Sequence, residues 1–251
     1  MDYMEEKKKP RRGIYLLPNL FTTGCLFSGY YAIVKAMAGN FENAAVAVFV
    51  AMILDGLDGR VARLTNTSTA FGVQYDSLAD MVSFGLAPSL IIYEISLHNL
   101  GKLGWLVAFV YAACAALRLA RFNTQVGTAD KRFFQGLPSP AAAAVVTGLV
   151  WFSVDYKLSG EDIKWVALLL TLMAGLVMVS NFRYYSFKQI DLKGKIPFIT
   201  VLVIVLVFVL VSLDPPQTLF AGFLIYMFSG LIITVWGIRQ KRQQRKSEMG
   251  Q

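Results

Sequence analysis

The sequence predicts an all-α integral membrane protein with about eight transmembrane helices in one bundle. Three observations point there. The 251 residues have a mean hydropathy of +0.53. Only 16% of them are charged and 56% are hydrophobic, which leaves too little polar surface to coat a soluble globule. The apolar residues also gather into runs close to the roughly 20 residues that cross a bilayer as a helix. These runs are 14–36, 41–62, 71–97, 103–122, 138–155, 163–181, 196–213 and 216–238.

The first run follows a basic start, "KKKPRRG", and mimics a signal peptide down to the A-x-A at Ala36 to Ala38. Its apolar stretch, Ile14 to Val34, exceeds the 7–15 residues of a signal core, so it reads as a retained first helix. The second and fifth runs are the weakest. Residues 41–62 are purely apolar only from Ala44 to Leu54, and the helix spans only by continuing through Asp55 and Asp58 to the cytoplasmic surface. That places the acidic residues at a membrane boundary. The polar turn "TNTSTAFG" at 65–72 then returns the chain into the third run.

Charge fixes the expected orientation. With the N-terminus inside, cytoplasmic segments hold twenty of the 24 Lys and Arg residues, among them Lys7 to Lys9, Arg60, Arg63, Arg118, Arg121, Arg183 and Arg239 to Lys246. Lys35, Lys102, Lys157 and Lys164 fall on the other side. This positive-inside bias predicts two cytoplasmic termini and an even number of spans, in the inner (cytoplasmic) membrane of the cell. The domains are then a basic N-terminal segment (1–13), a transmembrane domain (14–238) and a basic tail (239–251), whose cations also suit anionic headgroups. Two longer cytoplasmic loops, 122–137 and 181–195, are candidates for a substrate mouth. Cys25 and Cys114 both lie inside predicted spans and read as packing residues, with no disulfide framework.

The residues that demand explanation are four carboxylates. Asp55 and Asp58 are three apart and Asp76 and Asp80 four apart, so on helices each pair shares a face, and the intervening turn brings the pairs together near the inner surface. Carboxylates left without partners in low dielectric are costly. Hard oxygen ligands without His or Cys suit Mg²⁺, Mn²⁺ or Ca²⁺ rather than zinc, and Mg²⁺ typically shares its coordination with substrate phosphates. Gly59 and Ala62 leave the helix surface bare for a ligand, Arg63 offers a fork for phosphate or a base, and Gly72 does similar service on the third helix. The plainer reading makes these aspartates caps or partners of Arg60, Arg63 and Arg118. His98, the sole histidine, falls at the outer end of the third run, so neither a Ser-His-Asp triad nor an H-E-x-x-H site is available. There is no P-loop and no G-x-G-x-x-G.

The pattern Asp55-x2-Asp58-Gly59-x2-Ala62-Arg63-x8-Gly72-x3-Asp76-x3-Asp80 resembles the signature of the CDP-alcohol phosphatidyltransferase family at all eight fixed positions. That resemblance implies an integral membrane enzyme using two divalent cations, Mg²⁺ or Mn²⁺, to move a phosphatidyl group from a CDP-lipid to an alcohol with release of CMP. It implies metal binding by Asp55, Asp58 and Asp76, a role for Asp80 shared between metal binding and general-base catalysis, contacts to CDP from Gly59, Arg63 and Gly72, and a homodimer. "LLPNLFTTG" at 16–24, "LRLARFN" at 117–123 and "FFQGLPSPAAAA" at 133–144 are similar to the serine-using bacterial and archaeal branch of the family. Cys25 stands where that branch has asparagine.

The expected substrates are therefore CDP-diacylglycerol and L-serine, with no nucleic acid partner. Arg118 and Arg121, near the end of the fourth run, are the candidates for the serine carboxylate; pairing with the aspartates is the alternative. Glycerol 3-phosphate or another alcohol is the competing acceptor and would call for more cations. A divalent-cation transporter is the competing class, and it would call for a midplane site repeated in both halves.

Overall fold

The computed structural model describes residues 16–65, 69–124, 133–185 and 198–249. Helix α1 (Leu16–Met37) turns at Gly39, whose φ of +72° favours glycine, and Asn40 caps α2 (Phe41–Leu64) by accepting from the Asn43 N–H at 3.3 Å. One rod then combines α3 (Ala70–Asp80), a π-helical turn (Met81–Leu86) and α4 (Ala87–Ile95). A 3-10 turn (Leu97–Leu100) leads into α5 (Lys102–Thr124). Strand β1 (Phe133–Gln135) precedes α6 (Ser139–Asp155) and α7 (Gly160–Val179), the latter opened by a Ser159/Asp162 capping box. Strand β2 (Arg183–Tyr185), α8 (Phe198–Leu213) and α9 (Pro215–Met249) complete the described chain.

Among the described residues the helices thus form eight rods, an all-α membrane protein as expected. By length and composition four can cross a bilayer: Ala70–Ile95, Lys102–Thr124, Gly160–Val179 and Pro215–Ile232. Helices α6 and α8 are apolar but shorter. Helices α1 and α2 are long enough and too polar, because α1 carries Asn19, Thr22 and Thr23 and α2 carries Asp55 and Asp58. Most of α8 is exposed, as are Phe27, Trp105, Phe109, Trp165 and Leu169. Aliphatic and aromatic surface on this scale belongs against lipid.

Helix α6 is the centre of the bundle. Twelve of its 17 residues are buried, from Ser139 through Ser153, and a helix apolar on every side is a core helix. Its alanine run, Ala141–Ala144, lets neighbouring backbones approach. Two turns beyond Ala141, Gly148 admits α9, since a Cβ there would lie 3.2 Å from Phe220 Cα.

Two features depart from the expected pattern. The rod 70–95 is not a uniform α-helix; its π turn begins immediately after Asp80. Neighbouring helices hold that turn open: Ser83 Oγ donates to the Cys25 carbonyl of α1 at 2.9 Å, and Tyr111 of α5 donates to the Phe84 carbonyl at 3.0 Å. Wide turns of this kind recur at functional sites. The second departure is a two-stranded antiparallel sheet pairing Phe133 with Tyr185 and Gln135 with Arg183. It joins the two loops read as a substrate mouth; residues 125–132 and 186–197 of those loops, and the N-terminal basic segment, lie outside the described residues.

Candidate active site

The site grows from the α2–α3 hairpin. Thr69 caps α3 by accepting from the Gly72 N–H at 3.0 Å, which fixes where the helix starts and which face carries Asp76 and Asp80. On α2, Asp55 lies nine residues before the helix end, about 14 Å at 1.5 Å per residue. One carboxylate oxygen from each of Asp55, Asp76 and Asp80 lies within 4.8 Å of the others. Asp58, three residues further along α2, stands outside this trio beside Asp76 and is the most buried of the four, at 5% exposure.

Oxygen ligands from two antiparallel helices, with no His or Cys among them, suit a hard divalent cation. Asp80 Oδ1 adds a second indication, being buried without a hydrogen-bond partner among the described residues. Native structures leave few such atoms.

The positions read as CDP contacts lie around this trio. A Cβ on Gly59 would meet only Arg63 Nη1, 3.6 Å away, so the helix surface there is open beside a guanidinium. At Gly72 a Cβ would lie 3.2 Å from the Oγ1 of the capping Thr69, a tight contact, and 3.6 Å from Asn19 Oδ1 of α1, an ordinary one. Ala62 is half-buried, while Arg60 and Arg63 are exposed.

Arg118 and Arg121, three apart on α5, have different surroundings. Arg118 Nη1 donates to Ser139 Oγ at 2.8 Å, at the start of α6, and its Nε is buried without a partner. Its guanidinium interacts electrostatically with Asp80 and with Tyr226, Asp55 and Tyr111. Arg121 instead donates to three neutral acceptors: Gln135 Oε1 at 2.7 Å, Asn181 Oδ1 at 2.6 Å and the Val179 carbonyl at 3.3 Å. It stitches α5 to the end of α7 and to the two-stranded sheet.

Several contributors had no individual role in the sequence reading. Thr22 Oγ1 donates to Asp58 Oδ2 at 2.8 Å across 36 residues of chain. Thr23 and Tyr75 share a hydrogen bond of 3.0 Å that ties α1 to α3, and Asn123 Nδ2 donates to Ser77 Oγ at 2.9 Å between α5 and α3. Thr22, Thr23, Asn123 and Ser139 all occur in the three stretches that suggested the serine-using branch, and that was the available signal. Cys25 is buried with its Sγ 3.6 Å from Ser83 Oγ, and Cys114 is buried against Gly175. Both are packing residues. His98 sits exposed in the 3-10 turn, its Nδ1 3.2 Å from the Tyr93 carbonyl.

Comparison with known proteins agrees with this geometry. The family model described as CDP-alcohol phosphatidyltransferase matches residues 15–179. A Helicobacter pylori protein named CDP-diacylglycerol–serine O-phosphatidyltransferase is 40% identical over 223 residues, covering 89% of this chain and 92% of its own. Proteins with the same name from Bacillus subtilis (34% identical, 69% of this chain and 92% of the relative) and Methanocaldococcus jannaschii (32%, 62% and 71%) are also similar.

Proposed function

Because the chain belongs to the CDP-alcohol phosphatidyltransferase family, we propose that it transfers the phosphatidyl group of CDP-diacylglycerol to the hydroxyl of L-serine, giving phosphatidylserine and CMP. One observation supports serine in particular. Two buried orphan atoms lie on neighbouring helices, an acceptor at Asp80 Oδ1 and a donor at Arg118 Nε. Serine supplies the complement to both, its hydroxyl proton for Asp80 and its carboxylate for Arg118.

The roles follow from the residues. Asp55, Asp76 and Asp80, with Asp58 alongside, would hold divalent cations, Mg²⁺ or Mn²⁺. Bound there, such cations supply charge neutralisation for a pyrophosphate and for the departing CMP. Gly59 leaves the backbone open to the CDP moiety, Gly72 adds no side chain to the start of α3 beside Thr69 and Asn19, and Arg63 presents its guanidinium to the CDP moiety. Asp80 Oδ1 receives the hydroxyl proton as serine attacks phosphorus. Arg118 holds the serine carboxylate, anchored from behind by Ser139. Arg121, committed to Gln135, Asn181 and Val179, maintains the mouth instead of binding serine. A single guanidinium suits a carboxylate better than the dianionic phosphate of glycerol 3-phosphate. The positive-inside distribution supports a site and two termini that face the cytoplasm from the inner membrane.

The test is CMP release by detergent-purified protein from CDP-diacylglycerol with Mg²⁺ or Mn²⁺, comparing L-serine, glycerol 3-phosphate, inositol phosphate and no acceptor. Release that needs both serine and metal is expected, and Asp80→Asn should abolish it while CDP-diacylglycerol still binds. Release with glycerol 3-phosphate in place of serine would overturn the acceptor assignment.

A further inference from the structure

The rod that carries Asp76 and Asp80 contains a proline. Pro88 is the second residue of α4, inside a helical run that extends from Ala70 to Ile95. A proline there has no N–H for the carbonyl four residues back, that of Phe84, and its ring crowds the same carbonyl. The helix widens in response: the Ala87 N–H bonds the Val82 carbonyl, five residues back instead of four.

A mid-helix proline permits a kink or a wide turn, and two neighbouring helices select the wide turn here. From α5, the hydroxyl of fully buried Tyr111 donates to the Phe84 carbonyl at 3.0 Å, in place of the N–H that Pro88 lacks. On the α1 side, Ser83 Oγ donates to the Cys25 carbonyl at 2.9 Å, and Gly29 lies so close that a Cβ there would collide with Ser83. Gly85 leaves room within the turn, since a Cβ there would lie 3.0 Å from the Met81 side chain and 3.3 Å from that of Ala115.

The extra residue sets the rotation of the aspartates. In a uniform α-helix Asp76, Asp80, Phe84, Ala87 and Ile91, spaced by four, four, three and four, would share one stripe. One added residue in a turn offsets the two halves of the rod by about 100°. Ala87 and Ile91 are then fully buried in the core while Asp76 and Asp80 meet Asp55 of α2. We infer that Tyr111 is a positioning residue of the acidic site, holding open the turn at Pro88 so that Asp80 is rotated into the trio; this rests on the trio holding a divalent cation. Tyr111 acts through the backbone of the turn.

The test is Mn²⁺ binding to the full-length protein in detergent, without substrate, followed by the paramagnetic signal of the free ion. Three variants are compared. Tyr111→Phe removes the donor that fixes the Phe84 carbonyl, and Pro88→Ala supplies an N–H that lets the turn narrow; both free Asp80 to rotate out of the trio. Tyr184→Phe is the matched control, because it also removes a fully buried hydroxyl bonded to a backbone carbonyl, that of Met227 at 2.7 Å, on an element that carries no member of the trio. Tyr111→Phe and Pro88→Ala should each weaken Mn²⁺ binding about 10–100-fold, the range for partners behind metal ligands. Tyr184→Phe should lower the thermal midpoint and leave Mn²⁺ binding unchanged. A dissociation constant does not depend on the fraction of protein that folds, so the readout survives a lower yield. Pro88→Ala adds a helix bond, so a purely stabilising role for the turn predicts no loss of Mn²⁺ there. Unchanged affinity in either site variant overturns the inference, as does an equal loss in Tyr184→Phe, which would show general loosening. If the unsubstituted protein binds no Mn²⁺, the metal reading fails and takes this inference with it; equal binding by the unsubstituted protein and Tyr111→Phe sinks this inference alone.

Discussion

Replacing Thr22 with valine tests how the acidic site is held. The Thr22 hydroxyl has one hydrogen and faces two acceptors, Asp58 Oδ2 at 2.8 Å and the Pro18 carbonyl at 3.1 Å. The nearer, charged acceptor takes most of the interaction. Hydrogen bonds to charged groups contribute about 1.5–3 kcal/mol, and sharing the proton argues for the lower end, roughly tenfold in an affinity. Valine keeps the branched shape in the helix, so the change is mainly the loss of a donor to a carboxylate that is almost fully buried. Partners behind metal ligands typically matter by 10–100-fold, a range that contains this value. The assay is the Mn²⁺ concentration giving half-maximal CMP release, with Mn²⁺ binding followed separately by the paramagnetic signal of the free ion. Thr22→Val should raise both about tenfold, and Thr22→Ser, which retains the hydroxyl, should restore them. Unchanged Mn²⁺ affinity in a folded Thr22→Val protein would refute the claim that Thr22 positions a metal ligand.

Other perturbations address the rest of the arrangement. Exhaustive chelation should stop CMP release and added Mg²⁺ or Mn²⁺ should restore it; turnover persisting without metal would contradict the role given to Asp55, Asp76 and Asp80. Gly29→Ala would drive a methyl into Ser83 of the π turn and should cost about 1–3 kcal/mol as an overpacked contact, seen as a lower thermal midpoint in detergent. Arg121→Ala should also lower the thermal midpoint, because three acceptors lose their donor. A large rise in serine KM with no loss of stability would instead return Arg121 to the acceptor pocket.

The contrast between the two arginines shows where reading the sequence stops. Arg118 and Arg121 are the same residue type, three apart near one helix end, and nothing local separates them. What separates them is the element packed opposite: Ser139 at the start of α6 for one, Gln135 and Asn181 of the clasped loops for the other. The aspartates were legible because their message is local. Spacings of three and four on helices joined by a short polar turn bring carboxylates together almost regardless of the remaining fold, and the trio of Asp55, Asp76 and Asp80 follows. Asp58, expected to converge with the other three, stands outside the trio, and its bond to Thr22, 36 residues away, was not legible.

Composition and periodicity by themselves determined that this is a helical membrane protein, roughly where each helix runs, and that hard cations and a phosphate-bearing substrate suit its acidic motif. These are properties of short windows of chain, set by transfer free energy and helical geometry. Only the tertiary structure decided that α6 is the buried centre, that a π turn follows Asp80, that two loops pair as strands, and that Arg118 meets Ser139 while Arg121 meets the clasped loops. Each of these depends on contacts between residues distant in sequence, whose energies are set by what packs against what.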